Sequence, residues 1–344
     1  MSGGVARGAA GSGPEPGPVT PAPAAPARRR GLVLGAGGVL GAAWTIGALR
    51  ALELEHGVDP RTAEVVIGTS AGSVLAALVS SGMSTEQLLN HQRGIVVEGD
   101  PQVDFDYDGE GALPPRPRFR MGSRPIIARA LRNPRHVRLI PTLSALAPQG
   151  RGSIDAIGAL VDSVAPPEWP GDPRTWIVAL DYRTGLRVPF GKAGAPPARL
   201  ADAVMASCAI PGWYAPIEIG GRPYVDGGAW SSTSLDLLAG HHLDEVYCLA
   251  PMAFLESDQP RSVIGRLERR IRRLVTRRML DEAEQVRAAG TKVTMLAPGA
   301  DDLRAIGVNM MDGRRRELVL ETSLRTSAAR LRTGREPLDL APVG

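Results

Sequence analysis

Cysteine is almost missing from this sequence: only Cys208 and Cys248 occur in 344 residues. That excludes a disulfide-stapled scaffold and allows one bridge at most. No C-x-x-C is present, so a cysteine-built structural zinc site has no ligand set. Lysine is nearly absent too, with Lys192 and Lys292 the only two, so almost every cation is an arginine. Aromatic residues make up 4% of the chain. The formal net charge of +4 is too small to announce a nucleic-acid surface. Histidine, the usual partner of a catalytic serine, occurs five times, at His56, His91, His136, His241 and His242.

Glycine, alanine and proline are abundant, and their placement divides the chain. Residues 1–30 carry almost no large apolar side chain and read as a disordered tail ending in Arg28-Arg29-Arg30. Gly31 to Leu49 is uncharged and follows those arginines, a pattern similar to a leader or membrane anchor. Six glycines in that stretch argue against a membrane helix. Short apolar strands are predicted at Gly31–Leu34, Glu64–Ile67, Trp176–Leu180, Val246–Leu249 and Val293–Leu296, with helical patterns between them. Ser84 and Gln87 form a capping box at a helix start. Ile217–Ile219 and Arg222–Val225 flank Gly220-Gly221 as a hairpin. Apolar strands alternating with helices imply an α/β fold, a mostly parallel central sheet flanked by helices on both faces. Residues 99–150, rich in Pro, Arg and Gly with weak periodicity, are expected to be an irregular insertion, a lid or cap. The expected organisation is a tail (1–30), one catalytic domain (31–334) and a short C-terminal tail (335–344).

Three segments can carry chemistry. Gly68-Thr69-Ser70-Ala71-Gly72 is a G-x-S-x-G between a predicted strand and helix, the context of a nucleophile elbow. The sharp turn exposes the serine hydroxyl, and the helix N-terminus favours negative charge beside it. A hydroxyl needs a base. His136 lies among arginines, and His241-His242 follows a helix-ending Gly240, where imidazole can serve the last carbonyls. Asp226, in Tyr224-Val225-Asp226-Gly227-Gly228, is the better candidate, although Asp-Gly is equally a plain turn signal. The third segment is Gly35-Ala36-Gly37-Gly38-Val39-Leu40-Gly41. A dinucleotide fingerprint would need glycine where Leu40 stands, and a Walker loop would need Gly-Lys-Ser/Thr. The other reading is an oxyanion hole built from the Gly37 and Gly38 amides, such donors being worth ~3–4 kcal/mol each in acyl transfer.

In this order, Gly-rich loop, G-x-S-x-G and D-G-G, the chain resembles the patatin-like phospholipases. Ser207-Cys208-Ala209-Ile210-Pro211 and Tyr214-Ala215-Pro216, leading to Asp226, match that family's approach to its catalytic aspartate. The resemblance runs from about Arg30 to Ala250, and Asn309-Met310-Met311-Asp312 is loosely similar to bacterial members. It implies a patatin-like three-layer fold related to the α/β-hydrolases, and a serine acyl-ester hydrolase of the phospholipase A or lipid acyl hydrolase type. It also implies a Ser-Asp dyad: Ser70 as nucleophile, Asp226 as base, Gly37 and Gly38 as oxyanion donors, with no metal or organic cofactor. The sequence departs from the family's loop pattern at Ala36, where a glycine is usual, and at Leu40, where a cation is usual. The alternatives are a nucleotide-binding α/β enzyme using the 35–41 loop and a non-catalytic lipid-binding protein of the same fold.

Two other segments attract attention. Asp104-x-Asp106-x-Asp108-Gly109 imitates a calcium loop, but Pro115 stands where the closing Glu is required, so an acidic solvated loop is expected. Arg261–Arg278 holds eight arginines against one acid, Glu268, a net +7, with Ile264, Leu267, Ile271, Leu274 and Val275 at helical spacing. An ordinary surface helix with that apolar stripe in the core is expected; contact with anionic membrane is the second reading. The tail to Arg30 contributes +3, leaving the remaining residues at −6. The expected partners are a lipid or phospholipid substrate and anionic membrane touched through Arg261–Arg278, without nucleic acid, in a cytoplasmic or peripheral location.

Overall fold

The computed structural model describes residues 28–98, 122–132, 139–148, 150–165, 174–254 and 262–334, with positions 169, 256, 258 and 260 between them. The expected tails apart from 28–30, the acidic 104–109 loop, His136 and all of 99–121 lie outside the described residues; the expected tail ends too late, because Arg30 already begins the first strand.

The centre is a mixed sheet in the order β5-β6-β3-β2-β1-β7-β8. Its strands are β1 (Arg30–Leu34), β2 (Val65–Thr69), β3 (Thr175–Asp181), β4 (Arg187–Phe190), β5 (Ile217–Ile219), β6 (Arg222–Asp226), β7 (Glu245–Leu249) and β8 (Lys292–Leu296). The pairs β3-β2, β2-β1, β1-β7 and β7-β8 are parallel. β4 and β6 both run antiparallel to β3, and β5 antiparallel to β6. β4 is absent from the sequence reading because Arg187-Val188-Pro189-Phe190 holds both a charge and a proline, which hide a strand signal.

The apolar runs of the strands read as continuous because alternate residues serve two cores. Leu32, Leu34, Val66, Ile177, Ala179, Tyr247 and Leu249 face one; Val33, Val65, Ile67, Trp176, Val178, Val246 and Cys248 face the other. That period of two, with both faces covered, is the three-layer arrangement.

Helices cover both faces: α1 (Gly38–His56), α2 (Ala71–Ser80), α3 (Thr85–Gln92), α4 (Arg124–Arg132), α5 (Leu139–Leu146), α6 (Asp155–Val164), α7 (Leu200–Cys208), α8 (Val263–Ala288), α9 (Ala300–Ile306) and α10 (Arg316–Thr333). The first core takes α1, α2, α7 and α10; the second takes the latter half of α8 through Met279, Ala283 and Val286. α10 seals α1, with Ser323 Oγ donating to the Trp44 carbonyl at 2.6 Å. The capping box of α3 forms in both directions between Ser84 and Gln87. Cys208 and Cys248 are both buried and are not joined in a disulfide.

The insertion is more regular than its sequence suggests. Its described part forms α4 and α5, pinned to the end of β3. Tyr182 donates its hydroxyl to the Ser144 carbonyl at 2.9 Å, and Ile126 and Ala145 pack on Leu180, Tyr182 and Val225. The helix signal was masked by interrupting Pro and Arg residues, and burial against β3 decides the outcome.

Candidate active site

Ser70 sits between the last residue of β2 and the first of α2, with φ 53° and ψ −128°. A non-glycine residue in that region costs about 1–3 kcal/mol and persists only where its surroundings over-determine it. They do so here. The Ser70 amide donates to Ser207 Oγ at 2.9 Å, and Ser207 Oγ donates to the Val178 carbonyl at 2.6 Å. Ser73 N donates back to the Ser70 carbonyl at 2.7 Å. Gly72 lies so close to β1 that a Cβ would run into the Leu34 carbonyl, so the elbow needs glycine there.

Register brings Asp226 to Ser70. On β3, Val178 pairs with Thr69 of β2 and the next residue, Ala179, pairs with Asp226 of β6. β6 thus takes up β3 where β2 leaves off, and the residue after Thr69 meets the last residue of β6. Asp226 Oδ1 accepts a hydrogen bond from the Gly228 amide at 2.7 Å, and the Ser70 hydroxyl beside it favours the same carboxylate. Its own amide donates to the Ala209 carbonyl at 3.0 Å. The plain turn reading of Asp226 holds, since its side chain caps the turn Gly227–Ala229, and the same carboxylate lies beside the serine. Burial pushes its carboxyl up to about 6, against the downward pull of the Ser70 and Gly228 hydrogen bonds.

The Gly-rich loop opens α1. The amides of Gly35, Ala36, Leu40 and Gly41 are taken by the carbonyls of Leu249, Ser232, Met310 and Gly37, at 2.8–2.9 Å. Among the described residues the Gly37 and Gly38 amides make no such bond, as befits the first turn of a helix. Gly38 has φ +58°, and a Cβ there would lie 2.8 Å from Met311 Sδ. Leu40 is fully buried, so an apolar core contact stands at this position. Beside the loop, Arg272 of α8 is completely buried; it pairs with Glu268 and donates to the Pro251 carbonyl at 2.6 Å and to Met310 Sδ at 3.2 Å. Pro251 in turn packs on Gly37 and Gly41.

A pocket of about 750 Å³, its open mouth included, begins at Ser70 and Gly38. Its walls are mainly aliphatic, among them Ile46, Val74, Leu78, Leu160 and Ile210, and among the described residues none that lines it is Lys or Arg. His91 of α3 lines it as well. His241 is elsewhere. It meets Trp176 edge to face with ring centroids 5.0 Å apart and lies 3.5 Å from Lys192 Nζ. Trp176 begins β3, whereas Asp226 pairs near its end. Burial and the Lys192 charge hold His241 below the usual imidazole value. His242 gives its carbonyl to Arg29, and His56 lies against the Leu331 carbonyl.

The family model for patatin-like phospholipases matches residues 32–239, more than half of the chain. The chain belongs to the patatin-like phospholipase family. Two solved structures are similar to this patatin-like chain. VipD from Legionella pneumophila is 13% identical with a TM-score of 0.41, covering 89% of this chain and 67% of VipD. The type III effector protein ExoU is 15% identical with a TM-score of 0.35, covering 90% of this chain and 54% of ExoU. The chain thus spans about two thirds of the first and about half of the second. No curated protein matches it. Met310, Met311 and Arg272, which pack around the Gly-rich loop, lie beyond the matched patatin-like region. Sequence reasoning reached Met310 and Met311 only as a loose likeness and missed the contacts of Arg272. No local pattern marks an arginine whose partners, the Pro251 carbonyl and Met310, lie 21 and 38 positions away.

Proposed function

We propose that this patatin-like protein is a serine acyl-ester hydrolase acting on lipids, with Ser70 and Asp226 as a catalytic dyad. The observation that carries this reading is the Ser70 hydroxyl on a buried carboxylate raised to about 6. An ordinary carboxylate near ~4 is a weak base for a hydroxyl, and raising it narrows that gap. In the proposed first step Asp226 takes the Ser70 proton as Ser70 Oγ attacks the ester carbonyl. The oxyanion forms beside the Gly37 and Gly38 amides, on which no backbone carbonyl sits among the described residues. Asp226 returns the proton to the departing alcohol. Water then attacks the acyl-enzyme, Asp226 accepting its proton and passing it to Ser70 Oγ. The aliphatic pocket that starts at Ser70 suits an acyl chain. It serves a nucleotide phosphate poorly, since among the described residues it is lined almost entirely by apolar side chains.

The unit that would carry this chemistry is 31–334, since the C-terminal helices seal α1 and flank the Gly-rich loop. No helix among the described residues is long and apolar enough to cross a membrane. We infer a cytoplasmic enzyme that meets its lipid as a peripheral protein. Labelling with a fluorophosphonate tests the dyad: wild type should label, and Ser70→Ala should not. Profiling against lipid classes with the Ser70→Ala protein as control identifies the substrate. Labelling that persists in Ser70→Ala refutes the assignment, and labelling without turnover of any ester would favour a lipid-binding protein of the same fold.

A further inference from the structure

The first half of α8 is built inside out. Gly265, Arg269, Arg272 and Thr276 are buried, whereas Val263 (73% exposed), Ile264 (69%), Leu267 (59%), Ile271 (51%) and Leu274 (54%) face solvent. Both sets repeat at spacings of three and four, so they lie on opposite faces of one helix. The expectation that the apolar stripe packs into the core is therefore wrong for this half. The arginines take the inward positions because acids and carbonyls wait there. Arg269 pairs with Asp258 at 2.6 Å, and Arg272 with Glu268 and the Pro251 carbonyl. Only from Met279 onward does the helix bury an ordinary apolar stripe.

The outward face has a second property. Arg266, Arg270, Arg273 and Arg277 are all exposed and recur at spacings of four, three and four. They form one row beside the apolar stripe. Among the described residues the ion pairs of this helix are made by Arg269, Arg272 and Arg278, not by these four. Glu268, the acid in this half, is turned toward Arg269 and Arg272. The face is thus apolar along its middle, for roughly 17 Å, and cationic along one side without compensation. A second copy of the chain would bring like charges together. A surface that is apolar within and anionic at its boundary satisfies both properties.

We propose that the outward face of Val263–Arg277 docks this protein on anionic lipid bilayers, with Ile264, Leu267, Ile271 and Leu274 entering the acyl boundary and the arginine row meeting the headgroups. The proposal rests on the lipid-hydrolase reading for its biological sense, but its test does not need catalysis. Sedimentation of the Ser70→Ala protein with vesicles reads docking alone. One set of vesicles is phosphatidylcholine, the other an equal mixture of phosphatidylcholine and phosphatidylglycerol. Binding to the anionic set is expected, with little to the neutral one. Arg270→Gln/Arg273→Gln/Arg277→Gln should weaken it about a hundredfold, at roughly fivefold per arginine. Leu267→Ser/Ile271→Ser/Leu274→Ser should weaken it at least about tenfold. All six positions are exposed, so both variants should keep the unfolding midpoint and hydrolyse a water-soluble short-chain ester in the Ser70 background. Unchanged vesicle binding in the two variants overturns the proposal. So does a wild-type dimer in light scattering that the serine variant dissolves while vesicle binding persists. Failure of the short-chain ester assay in every protein would instead overturn the enzymatic reading and leave docking standing.

Discussion

Replacing Asp226 with asparagine should make the protein more stable and inactive. The side chain is buried, and its carboxyl is raised from an ordinary 3.8 to about 6. A folded-state value above the unfolded one means that the native state holds the proton more tightly. Stability from this group is then fully present below about pH 4 and lost as pH rises to about 6. The gap corresponds to about 3 kcal/mol at neutral pH. Asparagine occupies the same volume, keeps an oxygen for the Gly228 amide and never ionises. It forfeits the charge-assisted part of two hydrogen bonds, so the net gain expected is about 1–3 kcal/mol. Urea unfolding of wild type and Asp226→Asn across pH 4 to 8 checks this. The difference should grow between about pH 4 and 6 and stay level above. A difference that ignores pH, or a variant less stable than wild type at pH 8, refutes the claim that the dyad carries an electrostatic cost. Ester hydrolysis should fall at the same time to the level of Ser70→Ala.

The same ionisation should govern rate: kcat/KM on a soluble ester is expected to be level above about pH 6 and to fall about tenfold per pH unit below it, with a midpoint near 7 or higher pointing to an imidazole instead. Ser207→Ala strips the elbow amide and the Val178 carbonyl of their shared partner. It should cost about 2–4 kcal/mol in denaturant unfolding and lower kcat by up to about a hundredfold with little change in KM. His241→Ala/His242→Ala should leave ester turnover within about twofold of wild type, because His241 sits by Trp176 and Lys192 and His242 by Arg29. Gly72→Ala should unfold at markedly lower temperature, since its Cβ meets the Leu34 carbonyl oxygen rather than a side chain that can move.

The sharp turn at Ser70 was legible because it is local: strand, glycine, serine, glycine and helix follow one another within a dozen residues. The strands were legible for the same reason, β4 and its proline excepted. Asp226 was legible only as one of two things. Its sequence neighbourhood specifies a turn, and only the pairing of Ala179 with Asp226, one step beyond Val178 with Thr69, brings it to the serine. The helical pair in the insertion was hidden because interrupted periodicity gives no sign of the burial that stabilises it.

By itself the sequence determined an α/β alternation, a serine on a sharp turn, a Gly-rich helix start and the types of residue available to act on them. Tertiary structure decided the rest. It set Asp226 beside Ser70 by strand register and raised its carboxyl by burial. Among the described residues it puts no backbone carbonyl on the Gly37 and Gly38 amides. It also turned α8 over, because a helical repeat fixes which residues share a face but not which face looks inward. Acids and carbonyls from distant segments made that choice, placing Arg269 and Arg272 inside and the leucines outside.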